Sequence, residues 1–129
     1  MRIQTIQGER PFDKSRQYSQ MVITEGGRTV YIAGQAARDA EGKLAGVGDM
    51  SAQARQVFHN LGHWVAQAGG TMRNIVHLTI FVTDISRADE MIKARVEAFG
   101  EHRPAITLAE VRRLFSPDAL IEVDAVAVV

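Results

Sequence analysis

The sequence predicts a single α/β (α+β) domain over residues 1–129, one mixed β-sheet backed by two helices. Two segments, around residues 51–68 and 86–99, repeat apolar residues at i, i+3 and i+4. The other apolar runs are short, rich in β-branched residues and alternating, as strands are. The 129 residues carry no linker and no internal repeat, so they fit one core.

Taken in order, MRIQTIQ over residues 1–7 marks a short first strand through Ile3 and Ile6. Gly8 to Ser15 reads as a loop in which Pro11 fixes the backbone. Tyr18–Thr24 and Thr29–Ala33 are strands, and Gly26-Gly27 between them predicts a β-hairpin. Gly34 to Gly48 is a glycine-rich surface loop. Ser51 is the expected N-cap of the first helix, whose stripe is Ala54, Val57, Phe58, Leu61, Trp64, Val65 and Ala68. Gly69-Gly70 ends it.

Ile75–Thr83 alternates as a central strand, with Ile75, His77, Thr79 and Phe81 expected on one face. Asp84 or Ser86 caps a second helix that presents Ala88, Met91, Ile92, Arg95, Val96 and Phe99 on one side. Strands over 105–111 and 119–129 complete a β-β-β-α-β-α-β-β order. In the last strand Leu120, Glu122, Asp124, Val126 and Val128 share one face, and Ile121, Val123, Ala125, Ala127 and Val129 the other. Two helices cover only one face of such a sheet, so the other face predicts oligomerisation.

Composition narrows the function classes. Hydrophobic residues make up 46% and charged residues 23%, as in an ordinary globular chain. Lys+Arg and Asp+Glu both number 15, which argues against a broad nucleic-acid-binding face. The absence of cysteine removes thiol nucleophiles, disulfides and cysteine metal sites. No run approaches the length of a membrane span, and the first dozen residues lack the apolar stretch of a secretory leader. The expected location is cytoplasmic.

The ordered motifs Tyr18-Ser19-Gln20, Val30-Tyr31-Ile32-Ala33-Gly34-Gln35, Asn60-Leu61, Ala68-Gly69, Phe81-Val82-Thr83-Asp84, Arg103-Pro104 and Ile121-Glu122-Val123 resemble those of the YjgF/Rid family. The resemblance runs over roughly residues 11–129. It implies a chorismate-mutase-like fold and a homotrimer with small-molecule clefts between neighbouring subunits. It also implies hydrolysis of reactive enamines and imines with release of ammonia, without cofactor or metal. In the family's best-known branch an arginine clamps the substrate carboxylate and a glutamate in the last strand manages protons.

Carried over by position, Glu122 is the candidate catalytic residue, while Tyr18, Ala33, Gly34, Ile92, Ile106 and Leu108 are candidate ligand-binding residues. Tyr18 and Glu122 match the family pattern, and Gly34 borders the implied cleft. Ala33 stands in place of a serine, Ile92 near an asparagine, Leu108 in place of a small polar residue, and Ile106 in place of the arginine. Isoleucine supplies neither charge nor the bidentate hydrogen bonds of a guanidinium, so simple 2-imino acids are expected to be poor substrates. Arg112 shares the strand face of Ile106 but lies about 20 Å away along it, and Arg103 falls on the opposite face.

Other chemistry-bearing residues have plainer readings. His59 and His63 are four apart on the first helix but lack the glutamate of a zinc-protease motif and lie off the apolar stripe. His77 and His102 read as structural, and Gly42–Gly48 lacks the G-K-[ST] ending of a phosphate loop. Two functions follow: an imine or enamine deaminase of altered specificity built on Glu122, or a non-catalytic trimer that binds a small metabolite in apolar clefts.

Overall fold

The computed structural model describes residues 1–129. Its core begins with α2 (Met50–Gln67), where Asp49 rather than Ser51 is the N-cap and accepts the Ala52 N–H at 3.0 Å. Met50, Ala54, Val57, Phe58, Leu61 and Val65 bury one stripe, while Trp64 stays half exposed. The helix closes as foreseen: Gly69 is left-handed (φ 88°), and the Gly69 and Gly70 N–H groups return to the carbonyls of Ala66 and Val65. In α3 (Ala88–Phe99), Phe99 meets Phe58 edge to face at 5.9 Å and joins the two long helices. Asp84 caps a 3-10 turn over Ile85–Arg87 that precedes α3, so α3 begins later than the cap signal alone suggested.

The sheet has six strands: β1 (Arg2–Gln7), β2 (Ser19–Glu25), β3 (Thr29–Gln35), β4 (Ile75–Val82), β5 (Ala105–Glu110) and β6 (Ile121–Val128), in the order β1-β2-β5-β4-β6-β3. β4 pairs parallel with β5 and antiparallel with β6. Leu78, Ile80 and Val82 on β4 and Ile121, Val123, Ala125 and Ala127 on β6 are buried in the same core as the α2 and α3 stripes. The mixed sheet backed by two helices is therefore as expected.

Three further local expectations are corrected. Pro11–Arg16, expected as loop, is a short helix (α1): Pro11 occupies the first helical position and Asp13 accepts the Arg10 backbone N–H at 3.2 Å. Ile75 is buried on the helix-covered side, apart from His77, Thr79 and Phe81, because a bulge between Ile75 and His77 inserts an extra residue. The last strand starts at Ile121 because the Leu120 N–H bonds the Gln53 side chain instead of a neighbouring strand.

The largest correction concerns β2 and β3, which do not form a hairpin. β2 pairs with β1 and touches β5 only at Ser19–Ala105, while β3 pairs with β6 at the far edge. A flat sheet would separate β2 from β3 by about 19 Å, yet four residues span at most about 14 Å. The β1–β2 ribbon must therefore turn across the sheet, and the left-handed Gly26 and Gly27 make the corner. Arg28 and Val129 exchange backbone hydrogen bonds beyond it.

Gln53 is fully buried on α2 and holds two loops. Its amide nitrogen donates to Gly46 O (3.1 Å) and Asp118 O (2.9 Å), and its oxygen accepts the Leu120 N–H at 2.8 Å. Gln53→Leu leaves those backbone groups without partners, and we expect a loss of about 3 kcal/mol. Urea unfolding of both proteins checks this; equal midpoints at equal slope would refute it.

Candidate functional site

Two cavities receive the candidate residues, whose side chains leave β5 and β6 on opposite faces of the sheet. On β5, Ile106 sits opposite Leu78 and Leu108 opposite Ile80, so both point to the helix-covered side. There they border a cavity of about 510 Å³ with Tyr18, Ile92, Met91 and Arg95. Ala88, Met91, Ile92 and Arg95 recur at helical spacing, which turns one face of α3 onto this space. Phe12 and Arg16 of α1 border it as well, so the short helix missed in the sequence forms part of the site.

Glu122 sits opposite Phe81 on β6, on the side without helices. It borders a second cavity, of about 280 Å³, with Gly34, Ala36, Arg38, Asn60 and Phe115. The carboxylate is half buried and makes no hydrogen bond or ion pair within the chain. Gly34 permits this placement, because a Cβ at that position would lie 2.8 Å from Glu122 Oε2. Asn60 shapes the same wall by donating to Ala36 O (3.2 Å) and Arg38 O (2.9 Å), and Arg38 reaches Ser116 Oγ at 2.7 Å. The Gln53 bonds to Gly46 and Asp118 anchor the loops from which both walls arise.

The candidates thus fall into two groups: Tyr18, Ile92, Ile106 and Leu108 at the first cavity, Gly34 and Glu122 at the second. Ala33 is exposed on β3 and borders neither. Arg112 lies beyond the end of β5 and is exposed. Arg103 is held away by Gly100 O, His102 O and Gln17 Oε1. His59 and His63 are exposed on α2, and His102 packs on Phe99 with a ring nitrogen 2.6 Å from Ile75 O.

A buried polar network supports Tyr18. Asp13 is only 2% exposed and receives the Arg10 guanidinium at 2.8 and 2.9 Å, the Tyr18 hydroxyl at 3.1 Å and the Gln20 amide at 2.9 Å. These bonds, led by that from Arg10, hold the Asp13 carboxyl at about 2. Burial and the bond to Asp13 raise the Tyr18 phenol above its ordinary value. Tyr18 therefore keeps its proton at neutral pH and forms a fixed wall of the first cavity. Gly8 leaves room for the network, since a Cβ there would collide with the Asp13 carboxylate.

The missed residue of most consequence is Arg95. The legible signal was an arginine on the apolar face of a helix, three residues after Ile92. It is 4% exposed, and its Nη2 donates to the carbonyls of Arg16 (2.7 Å) and Gln17 (2.8 Å) at the end of α1. Burial, with the nearby Arg103 charge, lowers it to about 10, which leaves it cationic at neutral pH.

The sequence model of the endoribonuclease L-PSP family matches residues 8–129. Among solved structures, the fold is similar to the Rid-family protein YyfB of Yersinia pestis, at 30% identity and TM-score 0.89 over 100% of both chains. It is also similar to the YjgF gene product of E. coli, at 32% identity and TM-score 0.73, covering 86% of this chain and 87% of that one. The chain belongs to the YjgF/Rid family. Its Rid relatives include the 3-aminoacrylate deaminase RutC of Acinetobacter baylyi, 34% identical over 81% of this chain and 82% of that protein. A RutC family protein of Pyrococcus abyssi is 33% identical over 85% of this chain and 84% of its own length. No helix of this Rid chain is long and apolar enough to cross a membrane.

Two measurements test the geometry. The Asp13 carboxyl is depressed from 3.8, so the stability it contributes is present above that value and lost as pH falls toward about 2. Urea midpoints measured down through this window should fall more steeply for wild type than for Asp13→Asn; parallel curves would contradict the network. Gly34→Ala should displace the Glu122 side chain while shifting the thermal midpoint by no more than a few degrees. A crystal structure of the variant with Glu122 unmoved would count against the close approach.

Proposed function

We propose that this Rid protein is an imine or enamine deaminase of altered substrate specificity, acting as a cytoplasmic homotrimer in whose clefts one subunit's Glu122 faces its neighbour's Ile106 cavity. The carrying observation is Glu122 itself: a half-buried carboxylate, unpaired within its chain, held against Gly34 at an open cleft. The 34% identity to a 3-aminoacrylate deaminase supports the reaction class. Assembly finds support in the helix-free side of the sheet, which carries Phe81, Val126 and an 81% exposed Tyr31. The same surroundings leave the Phe115 side chain 96% exposed beside the Glu122 cleft.

The chemistry asked of Glu122 is proton movement. For an imine, water adds to the carbon of the C=N bond as the carboxylate takes the water proton. The resulting carboxylic acid protonates the nitrogen to give a carbinolamine. The carbinolamine hydroxyl proton then passes by way of the carboxylate to the nitrogen as the C=O bond forms and the C–N bond breaks, releasing ammonia and a carbonyl compound. An enamine first takes a proton at carbon and loses one from nitrogen to become the imine. Ile106 and Leu108, in the positions where the family resemblance implies an arginine and a small polar residue, give this cavity an apolar floor.

Ammonia release from imines formed in situ by amino-acid and amine oxidases tests the reading. Glu122→Gln should slow turnover by about 100-fold or more. Glu122→Gln and Ile106→Glu should each be inactive alone, and trimers assembled from both should recover activity at the cleft that pairs the two intact halves. Mixed trimers that stay inactive would refute the shared cleft. If wild type and Glu122→Gln release ammonia equally from every imine, the deaminase reading falls and metabolite binding without turnover remains.

A further inference from the structure

We propose that Arg95 of α3 is the carboxylate-binding residue of the 510 Å³ cavity, which takes a small organic acid with its anionic end toward α3 and its apolar chain against Ile92, Ile106 and Leu108. This deepens the deaminase reading and rests on it for the identity of the acid, a 2-imino acid with a branched or aromatic side chain. The ligand would lie reversed with respect to a clamp on β5, because the strand now offers hydrocarbon and the helix offers the cation.

Three observations carry the assignment. Arg95 is buried yet has no carboxylate within ion-pair distance; the ion pairs of the chain join Arg10 to Asp13, Arg16 to Asp89, Lys43 to Glu41 and Arg87 to Glu90. A buried cation without an anion is costly, and an incoming carboxylate relieves that cost. Its carbonyl contacts use Nη2 alone. The N–H groups on Nε and Nη1 have no acceptor in the chain and are not sealed from solvent. Finally, Ile92 and Arg95 are one helical turn apart, so a single ligand can span the apolar floor and the guanidinium.

Two other cations lie near this space. Arg16 is exposed, lies 5.4 Å over the Phe12 ring and shares Asp89 at 3.4 Å. Arg103 donates from Nη1 to Gly100 O and His102 O and from Nη2 to Gln17 Oε1, and it does not line the cavity. Arg95 alone combines burial, free donors and a place in the cavity wall.

A purely structural Arg95 would dock α1 through the Arg16 and Gln17 carbonyls and be indifferent to ligand charge, so charge discrimination is the readout. Titration calorimetry would compare 4-methyl-2-oxopentanoate with its neutral carboxamide on the wild-type trimer. The acid should bind about thirtyfold tighter or more. Arg95→Gln should erase the difference, and Arg95→Lys should keep part of it, with circular dichroism unchanged in both. Equal wild-type affinities, an acid preference that survives in Arg95→Gln, or one that is lost in Arg16→Gln would overturn the assignment. If the Arg95→Gln variant does not fold, the wild-type comparison together with Arg16→Gln decides, because these two cations are the ones that line the cavity. Acid preference without ammonia release from any imine would sustain Arg95 and sink the deaminase reading. Ammonia release that is equally fast from imines with and without a carboxylate would sustain the deaminase and sink Arg95.

Discussion

Period-two alternation along β4, β5 and β6 is the constraint from which the rest of this molecule follows. Once Leu78, Ile80 and Val82 turn toward α2 and α3, the paired residues have no choice of side. Ile106 and Leu108 must face the helices, and Glu122 must face away. The Glu122 carboxylate and the apolar floor thereby leave the sheet on opposite sides. Any chemistry that needs both requires a second copy of the chain, and the helix-free side offers apolar surface for it.

Charge is distributed with the same economy. Asp13 is buried but saturated by Arg10, Tyr18 and Gln20, which turns a carboxylate into a structural post beneath α1. Arg95 is buried and only partly satisfied, and Glu122 is half buried and not satisfied at all. Polar groups left short of partners inside a fold are where ligands find their contacts. That contrast separates a carboxylate whose partners are all within the chain from two charged groups that still have open hydrogen-bonding capacity.

Much of the fold was legible because it depends on local pattern. The α2 stripe, its double-glycine end and the alternation of β4 and β6 all follow from side-chain periodicity and backbone stereochemistry. Helix α1 was legible too, in Pro11 at the first helical position and Asp13 two residues on, but a six-residue helix leaves too short a pattern to outweigh a glycine and a proline. The bulge at Ile75–His77 and the path of β2 were not legible. A bulge is a decision of the partner strand, and Gly26-Gly27 suits a hairpin corner as well as a crossing corner.

The sequence by itself determined the two long helices, the central strands and the family resemblance, because each rests on residues near one another in the chain or in an ordered motif. The partner of each edge strand, and with it the division of the site into two cavities, was decided by tertiary structure. So was the setting of Arg95, an arginine on an apolar helix face that packing buries against the carbonyls of α1 and beside the hydrocarbon of β5. Those groups lie about eighty residues before it and a dozen after it in the chain. Only packing brings them together, and no local pattern encodes their meeting.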